Sequence, residues 1–140
     1  VHNQKGFTLI EMIVTVIIIG VLAGIIMPNL IRIQNRAKEA SLKANMHTLQ
    51  LAMEDFAVRN GGFYPDTDGS TTPGGETIRD ICPGQAYPNN PFTGVITLVS
   101  WDADPSGQGE IGINPANTGQ YVIKGFGKSA VLALELTSSI

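Results

Sequence analysis

With 140 residues and 43% apolar side chains, the chain has room for one membrane helix and one small folded head, not for two domains with separate cores. Its formal charge of −3 is uneven: Ala57 to Ile140 holds eight acids against four bases (Arg59, Arg79, Lys124, Lys128), whereas Pro28 to Phe56 holds four bases against three acids. No basic patch marks a nucleic-acid partner, and a single cysteine, Cys82, excludes a disulfide within these residues.

Val1 to Gly6 reads as a short basic leader standing before the apolar region. A secretory signal peptide would place a small-residue cleavage site after that region instead, so the apolar helix is expected to stay on the mature protein. From Phe7 to Met27 the only charged side chain is Glu11. As a helix this run is about 31 Å long, the thickness of one bilayer core. A carboxylate in lipid costs about 3 kcal/mol, so Glu11 requires a partner, and a plain anchor gains nothing from it. Gly20 and Gly24 form a small-xxx-small pair that lets helices approach closely, although glycine is also simply frequent in membrane helices. Pro28, with these glycines, marks where the helix can kink or lose hydrogen bonds.

The ordered string Lys5-Gly6-Phe7-Thr8-Leu9-Ile10-Glu11, followed by the apolar run and Pro28, resembles the class III leader and first helix of type IV pilins and type II secretion pseudopilins. The resemblance covers roughly the first 60 residues. It implies that a prepilin peptidase cuts after Gly6 and methylates Phe7. It further implies that the Phe7 ammonium of one subunit meets Glu11 of a neighbour, setting axial register. Near a helix N-terminus the Glu11 carboxylate also suits the macrodipole. The implied partners are further copies of the chain, the peptidase and an inner-membrane assembly platform. The implied location is a single-pass inner-membrane state, then a cell-surface or periplasmic filament.

Arg32, Arg36, Lys38 and Lys43 follow the membrane run, and only Lys5 precedes it. The positive-inside rule alone would put the head in the cytoplasm, and the family orientation is the reverse. From Leu30 to about Asn60 the helix is expected to continue and become amphipathic: Leu42, Met46, Leu49, Met53 and Phe56 share one stripe, and Glu39 with Lys43 makes an i, i+4 pair. Asn60-Gly61-Gly62 is a stop signal.

Asp66 to Gly94 is dense in Gly, Pro, Asn and Asp and reads as a long ordered loop of turns, with Tyr87-Pro88 and Asn90-Pro91 as candidate cis bonds, trans being the default. Strands are expected over Val95 to Trp101, Gly109 to Ile113, Gln120 to Phe126 and Val131 to Leu136, with turns at Asp104 to Gly107, Asn114 to Asn117 and Gly125 to Lys128. The fold class is therefore α+β: a long N-terminal transmembrane-to-amphipathic helix packed on a small C-terminal antiparallel sheet, the lollipop of type IV pilins. The expected divisions are a leader, 1–6, a membrane and filament-core helix, 7–27, and a head, 28–140. The head segments YPNNPFTG, GEIGINPAN and YVIKGFGKS resemble pilin-like heads, without the DPWGNPY loop of typical major pseudopilins.

Site chemistry is sparse. Cys82 is expected to be buried as a small hydrophobe, with a bridge to another subunit as the alternative. His2 and His47 form no cluster, and no serine or cysteine has a base at motif spacing, so no enzyme activity is expected. Asp102, Asp104, Ser106 and Gly107 match the opening of an EF-hand loop, but Ile113 stands where its bidentate Glu belongs. Glu110 could serve in another geometry, and pseudopilins resembling this chain bind calcium between C-terminal strands. The plain alternative is an ordinary acidic turn; no cofactor other than calcium has a ligand set.

Two functions fit these residues. One is a structural subunit, the major pilin of a type IV pilus-like filament or a pseudopilin of a type II secretion system; the missing DPWGNPY loop favours the pilus. The other is a monomeric membrane-anchored binding module whose loop, Asp66 to Gly94, captures a ligand. Glu11 separates the two, because only assembly uses it.

Overall fold

The computed structural model describes residues 6–115 and 119–138; the expected leader residues Val1 to Lys5 and the turn residues Ala116 and Asn117 lie outside them. The chain divides into two compact units, Val1–Arg36 and Ala37–Ile140.

The first unit is helical from Leu9, where α1 (Leu9–Arg59) begins. Thr8 stands at its N-cap and Glu11 at the third helical position, the T-x-x-E spacing of a capping box. The helix runs unbroken through Pro28. Having no N–H, Pro28 leaves the Gly24 carbonyl without its i+4 donor, so the weakness expected there is a missing bond inside a continuous helix.

In the second unit, the stripe Leu42, Met46, Leu49, Met53 and Phe56 is fully buried, as its four-three-four-three spacing requires. Leu42, Met46, Leu49 and Met53 of this stripe pack with Ile111, Ile113, Tyr121, Ile123 and Leu136 of the sheet and with Ile78, Cys82 and Tyr87 of the intervening segment. The helix ends at Arg59, and Gly62 donates back to the Ala57 carbonyl (2.7 Å) with Gly61 and Gly62 at positive φ, the left-handed exit that glycine permits. Glu39 accepts the backbone N–H of Lys128 (3.2 Å) rather than pairing with Lys43: the carboxylate caps the turn after β3 instead of lying along its own helix.

The sheet has the order β1 (Val99–Trp101), β2 (Ile111–Pro115), β3 (Tyr121–Phe126), β4 (Val131–Thr137). β2, β3 and β4 form the expected antiparallel meander, but β1 runs parallel to β2, so the sheet is mixed rather than antiparallel. The physical reason is the segment between β1 and β2, which turns the chain back before β2 starts. Asp102 and Gly109 at its ends adopt positive φ, and Glu110 ties its middle. Only the last three residues of the expected first strand join the sheet. Before them, Val95 to Thr97 folds back on Pro88 to Asn90, with Thr97 donating to Pro88 (2.9 Å) and Asn90 to Val95 (2.6 Å). In β3 the inward positions are Tyr121, Ile123 and Gly125. A Cβ on Gly125 would lie 2.8 Å from Met46 Sδ, so glycine is what lets this strand approach the helix.

The segment from Asp66 to Gly94 contains more regular structure than its composition indicates. A one-turn helix, α2 (Ile78–Ile81), is started by a capping box in which Thr77 and Asp80 bond each other reciprocally, and a 3-10 turn follows at Pro83–Gln85. Among the described residues every peptide bond is trans, including those before Pro88 and Pro91. Arg59 ties the segment to the end of α1, bonding Asp55 and Glu76, each at 2.8 Å.

Candidate functional site

The features with functional potential lie along the first unit. Phe7 is 84% exposed, and among the described residues none buries the membrane-length stretch of α1 that follows. At its head, Glu11 Oε2 accepts two bonds from Thr8, from the backbone N–H and from the hydroxyl, both 2.7 Å. The Glu11 N–H in turn donates to the Thr8 hydroxyl (3.3 Å). No described residue donates to the other carboxylate oxygen, Oε1. Part of the partner that the charge of Glu11 demands is therefore local, and Thr8 supplies it. Sequence reasoning aimed at charges passed over Thr8, although the T-x-x-E spacing before an apolar run is itself a helix-start signature. Thr15 donates to the Glu11 carbonyl (2.6 Å), so two hydroxyls next to this acid keep their polar atoms satisfied within the helix.

Gly20 and Gly24 lie one turn apart, and an added Cβ at either would meet nothing within 4 Å. The strip is open. Pro28, a further turn on, continues the same side of the helix, so the small residues and the weakened Gly24 carbonyl coincide.

In the second unit, two of the three acids expected to share a cation, Glu110 and Asp104, have separate partners, and Asp102 stands at the start of the crossover with positive φ. Glu110 is buried, and its Oε2 accepts from the backbone N–H groups of Ser106 (2.9 Å) and Gly107 (2.7 Å), while Oε1 is bonded by the Ser100 hydroxyl. Burial pushes the Glu110 carboxyl up, but the bonds from Ser100, Ser106 and Gly107 outweigh it and hold it below the usual carboxylate range. Asp104 pairs with the Lys124 ammonium (3.1 Å), which holds its carboxyl low as well. Among the described residues no group of three His, Cys, Asp or Glu side chains is placed to hold a metal ion. The set does not fit calcium as it stands: a protein ammonium occupies the cation's place at Asp104, and backbone donors occupy Glu110.

Two further polar features went unpredicted. The Glu54 carboxylate accepts the hydroxyls of Tyr121 (2.6 Å) and Tyr64 (2.8 Å), whose rings meet edge to face at 4.8 Å. Burial and then this carboxylate raise both phenols, Tyr64 to about 12. Asn90, also buried, donates to the Gln108 carbonyl (2.7 Å) and accepts from the Phe92 N–H (2.8 Å), joining the loop to the segment before β2. Cys82 is buried and free, and burial pushes its thiol up to about 11, away from the nucleophilic thiolate form. Residues Asp66, Thr67, Ser70 and Thr71 of the long loop border an open groove of about 630 Å³ with Phe63 and Trp101 on its other walls.

A bare apolar helix of membrane length, headed by a half-satisfied acid and continuing into a small α+β unit, defines a helix-anchored protein whose first segment must be covered by lipid or by other chains. Comparison with known proteins makes this specific. The family profile described as the prokaryotic N-terminal methylation motif matches residues 1–27. The type II secretion system core protein G of Escherichia coli is 30% identical over 137 residues, spanning 95% of this chain and 88% of that protein. The type IV major pilin protein PilA of Myxococcus xanthus is 46% identical over 54 residues, 39% of this chain and 24% of that protein. The type IV wide pilus major component PilA4 of Thermus thermophilus is 32% identical over 62 residues, 44% of this chain and 47% of that protein. This chain spans only a quarter to a half of these two pilins, and most of the Escherichia coli core protein G. No solved structure matches it. The chain belongs to the family of type IV pilins and type II secretion pseudopilins.

Proposed function

We propose that this chain is the repeating subunit, the major pilin, of a type IV pilus-like helical filament that polymerises through its N-terminal helix. The observation that carries this reading is the uncovered apolar face from Phe7 to Ile33, which needs lipid before assembly and neighbouring helices after it. In this reading a prepilin peptidase cuts after Gly6, Phe7 receives the methyl group, and the new ammonium reaches the open Oε1 of Glu11 in an adjacent subunit. Gly20 and Gly24 allow close helix packing, and Pro28 with the free Gly24 carbonyl gives the packed helix a place to yield. An inner-membrane platform drives assembly, and the finished fibre stands at the cell surface or in the periplasm. No catalytic role is assigned: the relatives are structural proteins.

A second reading, a pseudopilin of a type II secretion system, is favoured by one observation. Core protein G of Escherichia coli aligns along 95% of this chain, head included, whereas the two pilins named above align over less than half of it. A monomeric binding module built around the long loop has only the open groove to support it, and leaves Glu11 without use. The test is to shear cells, image the released material and measure the intact mass of its subunit. Surface fibres whose subunit begins at methylated Phe7 support the pilus. The same processed subunit confined to the envelope, with fibres appearing only on overexpression, supports the pseudopilus. A chain that retains the residues before Phe7 and forms no oligomer sinks both.

A further inference from the structure

We propose that Arg32 and Arg36 form a collar that binds the headgroup phosphates of anionic phospholipids, seating the membrane helix on the side of the bilayer where the head lies. The inference rests on Phe7 to Met27 spanning the membrane but not on filament formation. Arg32 follows Met27 by about 7.5 Å along the helix axis, and Arg36 by about 13.5 Å. The headgroup layer is about 5–8 Å thick, and Cα–Cβ bonds in a helix tilt toward its N-terminus. Both guanidinium groups therefore start from positions that aim back at the headgroups, within reach of a long, flexible side chain. Four residues apart, they share one face.

Their surroundings leave them available. Between Glu11 and Glu39 the sequence has no acid. Among the described residues neither arginine has an ion-pair partner; the five pairs all lie in the head. Glu39, three residues after Arg36, is the nearest acid along the helix and accepts the Lys128 N–H. Lys38 is placed over the Phe92 ring, 5.8 Å from its centre, and the two arginines are the cations nearest the membrane run on its C-terminal side. Leu30, Ile31 and Ile33 are exposed between and beside them. Guanidinium groups interleaved with bare aliphatic side chains match a molecule with a phosphate above and acyl chains below, and the planar fork binds phosphate oxygens in pairs. The collar also accounts for positive charge after the membrane run: these arginines act as an interfacial anchor, so they need not specify a cytoplasmic head.

The test uses the full chain in nanodiscs of mixed phosphatidylcholine and phosphatidylglycerol, with spin-labelled forms of each lipid reporting association. Flotation with vesicles after an alkaline wash first establishes insertion. At low salt the wild type is expected to prefer phosphatidylglycerol about fivefold or more, from the affinity of one surface arginine for anionic lipid. The preference should vanish in the R32Q/R36Q double variant, recover in part in R32K/R36K, and persist in K43Q. Inorganic phosphate should remove no more of it than chloride at equal ionic strength. Equal preference in wild type and R32Q/R36Q overturns the collar, and so does displacement by free phosphate. An absent preference in the wild type, combined with filament loss in R32Q/R36Q, assigns the arginines to acids of a neighbouring subunit, also overturning it. Failure to insert overturns the spanning reading and the collar together; insertion without preference overturns the collar alone.

Discussion

Replacing Glu110 should unfold the crossover between β1 and β2 before it disturbs the rest of the head. The side chain is 6% exposed, and its carboxylate accepts two backbone N–H groups, from Ser106 and Gly107, and bonds two hydroxyls, of Ser100 and Ser106. Glu110→Ala leaves both N–H groups without their acceptor at a site water reaches poorly. At about 1–3 kcal/mol for each unsatisfied group, the loss is about 3 kcal/mol. For a head of this size that lowers Tm by about 12 °C or more. Glu110→Gln keeps the shape: its amide oxygen accepts the two N–H groups and its NH₂ donates to Ser100. Only the charge assistance disappears, about 1 kcal/mol. The pH dependence supplies a second reading. Because the folded-state carboxyl is held below its unfolded value, its contribution is present above the unfolded pKa and is lost as pH falls through the folded one. The wild type should therefore lose stability from about pH 4.5 downward, and Glu110→Gln should lose less over that window. The assay is urea unfolding of a fragment beginning at Ala37, where the second compact unit starts. A Glu110→Ala loss under about 1 kcal/mol, or equal losses in Ala and Gln, would refute the argument that backbone donors are what this acid serves.

The other expectations concern three separate sites. Glu11→Ala should insert into membranes as well as the wild type or better, since the costly charge is gone, while fibre yield in the shear fraction falls several-fold; normal yield would remove the register role. Tyr121→Phe deletes a 2.6 Å bond to the Glu54 carboxylate and should cost about 1.5–3 kcal/mol by urea unfolding, with the Tyr64 bond surviving. A loss under about 0.5 kcal/mol would show that Glu54 finds water instead. Calcium and chelator should give the same Tm for the head, because Asp104 is held by Lys124 and Glu110 by the backbone; a calcium-dependent rise of several degrees would show that these acids regroup around the ion.

Which parts of this molecule were legible in its sequence follows from how local each cause is. The buried stripe of α1 repeats with the period of the helix, so spacing alone places Leu42 to Phe56 inward, and alternation does the same for β3. The direction of β1 does not repeat in that way. It depends on where a buried carboxylate finds donors in a nine-residue crossover, a three-dimensional fact that the spacing of Glu110 does not carry. The ion pair of Asp104 was not legible for a related reason, since the register that brings Lys124 of β3 beside it across β2 is nonlocal. Two local signals were present and overlooked: the T-x-x-D spacing that starts α2 and the T-x-x-E spacing that starts α1. Each lies within four residues and needs no tertiary information, but each was masked by a louder reading, turn-rich composition in one case and a lone charge in the other.

The second overlooked signal alters the energetics of assembly. A lone carboxylate in lipid faces two extremes: fully unsatisfied, it opposes insertion, and fully satisfied, it has nothing left to offer a neighbour. Thr8 places Glu11 between them. Its two bonds to Oε2 supply the nearest donors and lower the cost of holding the acid at the helix end, where the macrodipole also favours it. Among the described residues Oε1 has no donor, so in the proposed filament a cation arriving from another chain would gain a charge-assisted bond without first breaking an internal one. On the proposed assembly, the cap orients the carboxylate and leaves its unused oxygen as the point that a neighbouring ammonium would read. If Thr8 were apolar, the acid would keep its charge but lose its aim, and insertion and register would both suffer. Seen this way, the acid and the threonine three residues before it are one device, and the charge alone is only half of it.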